Sequence, residues 1–163
     1  MTDQPGRMFD RFEIQDLQYR YTDALDRFDW VALRTVFTEQ AILDYTMSDV
    51  PKGSSAEVVE WMSSAVPATF SKIVHYVTNC HVAIDGDDAS ANVPFYALAG
   101  LRNGRRMIFA GFYHDTYRRT PNGWRISDRA EEVVFTEGPY EPRVDTELSH
   151  PFPPDGGKTP RGA

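Results

Sequence analysis

The sequence is poor in cysteine and has no long apolar run. Its single cysteine, Cys80, cannot form an internal disulfide bond. No stretch of apolar residues reaches the length that spans a bilayer, and segment 1–13 lacks the apolar core of a secretory signal. We therefore expect a cytoplasmic protein that does not span a membrane.

Excess basic charge and glycine-rich phosphate loops are also missing. The chain has 17 Lys and Arg against 24 Asp and Glu, a net charge of -7, and its cations are scattered, which argues against nucleic acid as a partner. The sequences GDD and NG are turns, and no helix is predicted to begin after a glycine-rich loop. His75 and His81, six residues apart, have no carboxylate placed to complete a metal site. We therefore expect no cofactor and no metal.

The composition is that of one globular domain. Of 163 residues, 41% are hydrophobic and 13% aromatic, enough to close a core around a small cavity. After residue 138 the chain becomes rich in Pro and Gly and loses its periodicity. We predict a domain over 1–138 and an extended arm or disordered tail over 139–163.

Three helices are predicted in the first half of the chain. Apolar residues at three- and four-residue spacing predict a helix over about 10–28. Asp29 fits the N-cap of a short helix over 30–37, and a strand over 40–47 follows it. Ser54 or Ser55 fits the N-cap of a third helix, which Pro67 ends or follows.

The second half of the chain is rich in β-prone residues. Four long runs, over 72–85, 88–102, 105–119 and 123–135, are separated by turn sequences of the hairpin kind. This order predicts an α+β domain in which three N-terminal helices pack on a curved, mostly antiparallel sheet and enclose a pocket.

Two polar residues interrupt apolar patterns in a way that suits buried chemistry. Asp26 lies near the end of the first predicted helix, where a carboxylate opposes the helix dipole and needs a partner if it faces inward. His75 shares a strand face with Ile73, Val77 and Asn79. If Asp26 accepts from one imidazole nitrogen, the other nitrogen is free to act as a base. The alternatives are that Asp26 caps a turn and that His75 is structural.

Further candidates follow from strand alternation. Arg129 shares a face with Arg125, Ser127 and Glu131, opposite Trp124 and Ile126, so it is either on a solvated face or a cation that stabilises an anion. The same alternation gives pocket candidates on the other strands, each with a structural alternative in the core: Asn79, Tyr96, Leu98 and Tyr113.

The motifs YRYTDALDRFDWVALRTVFTEQAILDYT, HYVTN and GFYHDTYRRTPNGWRISDR resemble the SnoaL-like branch of the NTF2-like superfamily. The resemblance covers about 12–136. Similar members are scytalone dehydratase, bile-acid 7α-dehydratase and hexachlorocyclohexane dehydrochlorinase, whose shared fold is a cone of three helices and a bent sheet around one cavity. The resemblance implies that Asp26 orients His75, that His75 removes a proton, and that Arg129, Tyr21 and Tyr45 stabilise an oxygen or leaving group.

The sequence also departs from these enzymes. Scytalone dehydratase has a second pocket histidine where this chain has ANVPFY, and the dehydrochlorinase has a lysine where this chain has Tyr21. The residues therefore support neither exact substrate, and a hydroxyl in place of that lysine favours binding an oxygen.

These features predict a cofactor-independent lyase of the dehydratase or dehydrohalogenase type, or an isomerase. The expected substrate is a medium-sized, apolar cyclic molecule such as a steroid, terpenoid or polyketide. The alternatives are a binding protein without turnover and an epoxide hydrolase or polyketide cyclase. The resemblance also implies a homodimer or homotrimer, with the C-terminal arm wrapping a neighbouring subunit or covering the cavity mouth.

Overall fold

The computed structural model describes residues 4–139, so the arm predicted over 139–163 lies outside the described residues apart from Pro139. Within this range the chain forms three α-helices, one short 3₁₀ helix and seven strands. In chain order they are α1 (Gln4–Asp26), α2 (Trp30–Arg34), β1 (Phe37–Asp44), the 3₁₀ helix (Thr46–Ser48), β2 (Gly53–Ser54), α3 (Ser55–Thr69), β3 (Phe70–Val77), β4 (His81–Asp85), β5 (Asp88–Leu101), β6 (Arg106–Thr120) and β7 (Gly123–Glu137).

The strands form one sheet in the order β2-β1-β7-β6-β5-β3, and β4 also pairs with β5. Every pairing is antiparallel except that of β1 with β7. Helix α1 packs against β3 and β7, and α3 packs against β1. The predicted α+β class, with three N-terminal helices on a mostly antiparallel sheet, is confirmed.

A Schellman motif ends α1 two residues earlier than the periodicity predicts. Phe28 adopts the left-handed conformation, with φ at 58°. The N–H of Asp29 donates to the carbonyl of Ala24 at 2.8 Å, and the N–H of Phe28 donates to that of Leu25 at 3.1 Å. Asp29 then caps α2, as predicted, by accepting from the N–H of Ala32. Asp26 is therefore the last helical residue, with its carboxylate free for another partner.

Helix α3 begins as predicted but ends later. Ser54 is its N-cap and forms a reciprocal capping box with Glu57. The expectation that Pro67 ends or follows this helix is wrong, since Pro67 lies inside it and the helix continues to Thr69. A proline so close to the C-terminus removes one backbone hydrogen bond and leaves most of the helix intact.

The predicted strand over 72–85 is two strands. The chain leaves the sheet after Val77, and Asn79 takes a left-handed conformation with φ at 50° before β4 begins. Asparagine tolerates this conformation better than most residues. The break also changes which positions face inward, because Val77 and Val82 are both buried.

A β-bulge in β7 corrects the predicted alternation of that strand. Tyr117 of β6 is opposite Ile126 and Thr116 is opposite Asp128, so Ser127 is an extra residue without a partner. The extra residue shifts the alternation by one position. As a result, Ile126 and Arg129 are both buried on the inner face, although the sequence placed them on opposite faces.

Among the described residues, no helix combines the length and apolar character needed to cross a membrane.

Candidate active site

An apolar cavity of about 260 Å³ lies between the helices and the inner face of the sheet. Aliphatic and aromatic side chains of α1, α3, β3, β5 and β6 form most of its wall. Asp49, Trp61 and Thr69 line the cavity and are also exposed, which places its mouth beside α3. Such a cavity suits a small, largely apolar molecule.

His75 and Asp26 form a tight pair at the cavity wall. The Nδ1 atom of His75 lies 2.5 Å from Oδ1 of Asp26, and the backbone N–H of His75 donates to Oδ2 at 2.8 Å. The side chains are 9% and 20% exposed, respectively, and His75 lines the cavity. The carboxylate holds the proton on Nδ1, which leaves Nε2 as the basic nitrogen.

The fold explains why these two residues meet. In the described sheet, β3 pairs with β5 only, so its other edge presents unpaired backbone N–H groups. Helix α1 ends against this edge, and Asp26 accepts from the N–H of His75. The two hydrogen bonds compensate for a carboxylate at the negative end of a helix. The alternative role of Asp26 as a turn cap belongs instead to Asp29.

Three buried tyrosines, Tyr21, Tyr45 and Tyr113, contribute hydroxyl groups to the cavity wall. The hydroxyls of Tyr21 and Tyr45 are hydrogen-bonded at 2.9 Å, and the Tyr21 and Tyr113 rings meet edge to face at 5.7 Å. All three residues line the cavity. Burial raises the pKa of each phenol, so the hydroxyls stay neutral and can donate hydrogen bonds.

The expected placement of Arg129 in the cavity is wrong. Its side chain is 0% exposed and does not line the cavity. The guanidinium packs over the rings of both Tyr21 and Tyr113, with Cζ 4.1 Å from each ring centroid. Arg129 therefore acts on the cavity through these rings, and its charge lowers the pKa of each phenol against the larger effect of burial.

Asp115, which sequence reasoning missed, is the counter-ion of Arg129. The Nε and Nη2 atoms of Arg129 donate to the two carboxylate oxygens at 2.7 and 2.6 Å. Gln18 and Tyr117 also donate to Asp115, at 2.8 and 2.7 Å, and Gln18 accepts from Arg129 at 2.6 Å. These four residues form a fully buried polar cluster beside the cavity.

Glu131 was also missed as a site residue, although the sequence placed it on the strand face of Arg129. It lines the cavity and accepts a short hydrogen bond from the hydroxyl of Ser48. Burial raises the pKa of Glu131 to about 7, against the opposing effects of Ser48 and of the Arg129 charge. The signal in the sequence was its position two residues after Arg129 and two before the apolar Val133.

Three other candidates lie outside the cavity. Asn79 is exposed in the turn between β3 and β4. Tyr96 and Leu98 are 40% and 42% exposed on the outer face of the sheet, because Phe95 and Ala97 take the inward positions of β5. Their predicted placement in the pocket is wrong.

No group of three or more His, Cys, Asp or Glu side chains among the described residues is arranged to hold a metal ion.

The chain matches a family of known proteins over most of its length. The model of the SnoaL-like domain matches residues 7–130. The chain therefore belongs to the SnoaL-like family. This membership, together with the enclosed cavity, supports an enzymatic or ligand-binding role.

One sequence relative and three solved structures are similar to this chain. The uncharacterized protein Rv2910c of Mycobacterium tuberculosis is 34% identical over 128 residues, which cover 77% of this chain and 86% of that protein. An aromatic ring hydroxylase candidate of Novosphingobium aromaticivorans is 29% identical, with a TM-score of 0.75 and coverage of 81% of this chain and 94% of the other.

Two further structures share the fold at lower identity. A scytalone dehydratase candidate of N. aromaticivorans has a TM-score of 0.77 at 19% identity, over 88% of this chain and 95% of that one. The hexachlorocyclohexane dehydrochlorinase LinA-type3 of Novosphingobium barchaimii has a TM-score of 0.72 at 18% identity, over 81% of this chain and 91% of that one.

Proposed function

We propose that the protein is a cofactor-independent lyase or isomerase that removes a proton from carbon in a small, largely apolar cyclic substrate. One observation carries the proposal: an imidazole whose tautomer is fixed by a carboxylate lines an apolar cavity. The names of two structural neighbours, a dehydratase candidate and a dehydrochlorinase, belong to the same class of reaction.

In this mechanism Nε2 of His75 takes the proton, and Asp26 stabilises the imidazolium that forms. The electron pair of the C–H bond becomes a new double bond as negative charge develops on a substrate oxygen or leaving group. The hydroxyls of Tyr21 and Tyr45 donate hydrogen bonds to that charge. Arg129 holds two of the tyrosine rings from behind and adds its positive charge. A positioned base contributes about 10²–10⁴-fold to such a step.

The cavity volume narrows the substrate class. An apolar cavity of about 150 Å³ accommodates one benzene molecule. A volume of about 260 Å³ therefore suits a molecule of one or two rings. A steroid would have to extend through the mouth beside Trp61.

The test follows the exchange of the proton on the carbon beside the carbonyl. The purified protein is incubated in D₂O with 3-hydroxycyclohexanone and 2-tetralone, ketones of one and two rings, and NMR follows deuterium at the carbon beside the carbonyl. We expect catalysed exchange in the wild type and a loss of about 10²–10⁴-fold in His75→Ala, because the base is removed. Asp26→Asn should lose most of the activity, because it favours the wrong tautomer.

His81→Ala is the matched control, since His81 is an exposed histidine on β4 and outside the cavity. It should exchange at the wild-type rate. Equal exchange by wild type and His75→Ala would remove His75 from the mechanism. Ligands that stabilise the protein against heat without any exchange would favour the binding-only alternative.

A second candidate is epoxide hydrolysis, because Glu131 supplies an inward carboxyl group in addition to Asp26. That reaction needs a water molecule activated by a carboxylate. Conversion of cyclohexene oxide to a diol with ¹⁸O from labelled water, lost in Glu131→Gln and kept in His75→Ala, would favour it over elimination.

We also propose that the protein forms a homodimer or homotrimer through the outer face of the sheet. Large apolar side chains are exposed there on β3, β5 and β7, including Tyr76, Tyr96, Leu98 and Phe135. A contiguous apolar face of this kind marks a protein interface. Sedimentation at the mass of a single chain would contradict this proposal.

A further inference from the structure

We propose that Glu131 is a second catalytic residue, a general acid that delivers a proton to the leaving oxygen after His75 has removed a proton from carbon. The inference rests on the proposed elimination and adds its missing proton donor. It also implies the substrate class, namely a ring ketone with a hydroxyl group on the carbon β to the carbonyl.

The position of Glu131 supports this role. Glu131 lines the same cavity as His75 and the three tyrosines. Ser48 donates to Oε2, and Oε1 has no hydrogen-bond partner among the described residues. Oε1 is therefore the oxygen that can carry a proton and present it to a ligand.

The surroundings favour the protonated form. Arg129 is already paired with Asp115 and does not line the cavity, and no cation among the described residues forms an ion pair with Glu131. An ionised Glu131 would lie beside three neutral phenols and raise the pKa of each. With a pKa of about 7, the group holds a proton in half of the molecules near neutral pH and can release it during the reaction.

The proposed step balances. Nε2 of His75 accepts the α-proton, and the electron pair of that C–H bond forms an enolate whose negative charge lies on the ketone oxygen. This electron pair then returns and forms the double bond between the α- and β-carbons. The bond from the β-carbon to its hydroxyl oxygen breaks, and this oxygen takes the proton of Glu131 and leaves as water. The products are an unsaturated ketone, water, an imidazolium and a carboxylate. Transfer of a proton from His75 to Glu131 through solvent restores the resting state.

The first test measures binding and needs no turnover. The probe is 3,4-dinitrophenol, a one-ring phenol that is ionised in water above pH 6. A protonated Glu131 donates to the phenolate, whereas an ionised Glu131 repels it. Because the protonated fraction falls from about nine-tenths at pH 6 to about one-tenth at pH 8, we expect Kd to rise about tenfold. Glu131→Gln keeps a neutral donor and should bind equally at both pH values.

Other titratable groups also face the probe, and a second variant separates their contribution to the pH dependence from that of Glu131. They are Tyr21 of α1, Tyr45 and Asp49 around the 3₁₀ helix, His75 of β3 and Tyr113 of β6, with Arg129 behind the rings. The three phenols stay neutral in this range. A histidine can titrate here, so the measurement is repeated in His75→Gln, where about tenfold weakening should remain. A Kd independent of pH in that variant overturns the proposal.

The second test separates this proposal from the proposed function. With 3-hydroxycyclohexanone, Glu131→Gln should retain exchange of the α-proton within about threefold of wild type and lose at least 100-fold in formation of cyclohexenone. His75→Ala should lose both. Loss of exchange and elimination together in Glu131→Gln would overturn the role of Glu131, whereas wild-type exchange in His75→Ala would overturn the role of His75.

Discussion

Asp115 and Asp26 are each paired with a nitrogen base on the inner face of the sheet, and their surroundings differ. Asp115 and Arg129 are both 0% exposed, and two further side chains satisfy the carboxylate. Asp26 and His75 keep some exposure, and the imidazole reaches the cavity. Asp115 and Arg129, the sealed pair, are positioned to maintain structure and to hold the tyrosine rings. Asp26 and His75, the open pair, keep one imidazole nitrogen available for a ligand.

The largest expected effect on stability comes from breaking the sealed pair. Arg129→Met leaves the Asp115 carboxylate buried without its counter-ion, which costs about 3–5 kcal/mol. The open pair should respond differently. Asp26→Asn should lose only about 1 kcal/mol, because its side-chain oxygen still accepts from the backbone N–H of His75. Urea unfolding of the three proteins measures both differences.

The double variant Arg129→Met with Asp115→Leu is the control, since it removes both charges. It should regain at least half of the stability lost in Arg129→Met. A loss below about 1 kcal/mol in Arg129→Met would show that this pair is not the structural one.

A smaller effect on the free energy of unfolding is expected when the titration of Glu131 is removed by substitution. The pKa of Glu131 rises from 4.5 to about 7 on folding, so the folded chain holds more protons than the unfolded chain between these values. The free energy of unfolding therefore falls as the pH rises through this window, by at most about 3 kcal/mol. Glu131→Gln lacks this loss and should gain stability relative to wild type between pH 5 and pH 8.

Urea unfolding at several pH values gives the difference between the two proteins, in which the other titrating groups cancel. A difference that stays constant from pH 5 to pH 8 would show that Glu131 has an ordinary pKa.

The smallest effect on ligand binding in the cavity is expected from a substitution on the outer face of the sheet. Tyr96→Lys introduces a charge among exposed apolar side chains and should reduce the sedimenting mass to that of one chain. Because Tyr96 does not line the cavity, the affinity for 3,4-dinitrophenol should stay within twofold of wild type. A large loss of affinity would place Tyr96 at the site after all.

Much of the fold and the central pair could be predicted from the sequence. The helical spacing placed Asp26 near the end of α1. Alternation in the first long β run placed His75 on the same face as Ile73 and Val77, and the structure shows that this face is the inner one. The family resemblance then indicated that the two side chains meet, and they do so at 2.5 Å. Their catalytic role stays a prediction.

Alternation failed where both faces of a strand are apolar. In β5, Tyr96 and Leu98 are as hydrophobic as Phe95 and Ala97, so the pattern did not show which set faces inward. The small Ala97 on the inner face leaves room for the cavity, and this depends on packing across the sheet. The partner of Arg129 was missed for a similar reason, because a pairing between β6 and β7 depends on register.

The extra residue at Ser127 has a consequence for how this site could be gained or lost. Beyond it, Arg129, Glu131 and Val133 of β7 point to the helices. A single-residue deletion at this point would exchange the two faces of the strand's second half. Such a change would carry the buried cation and the proposed acid to the outside together, without altering either amino acid.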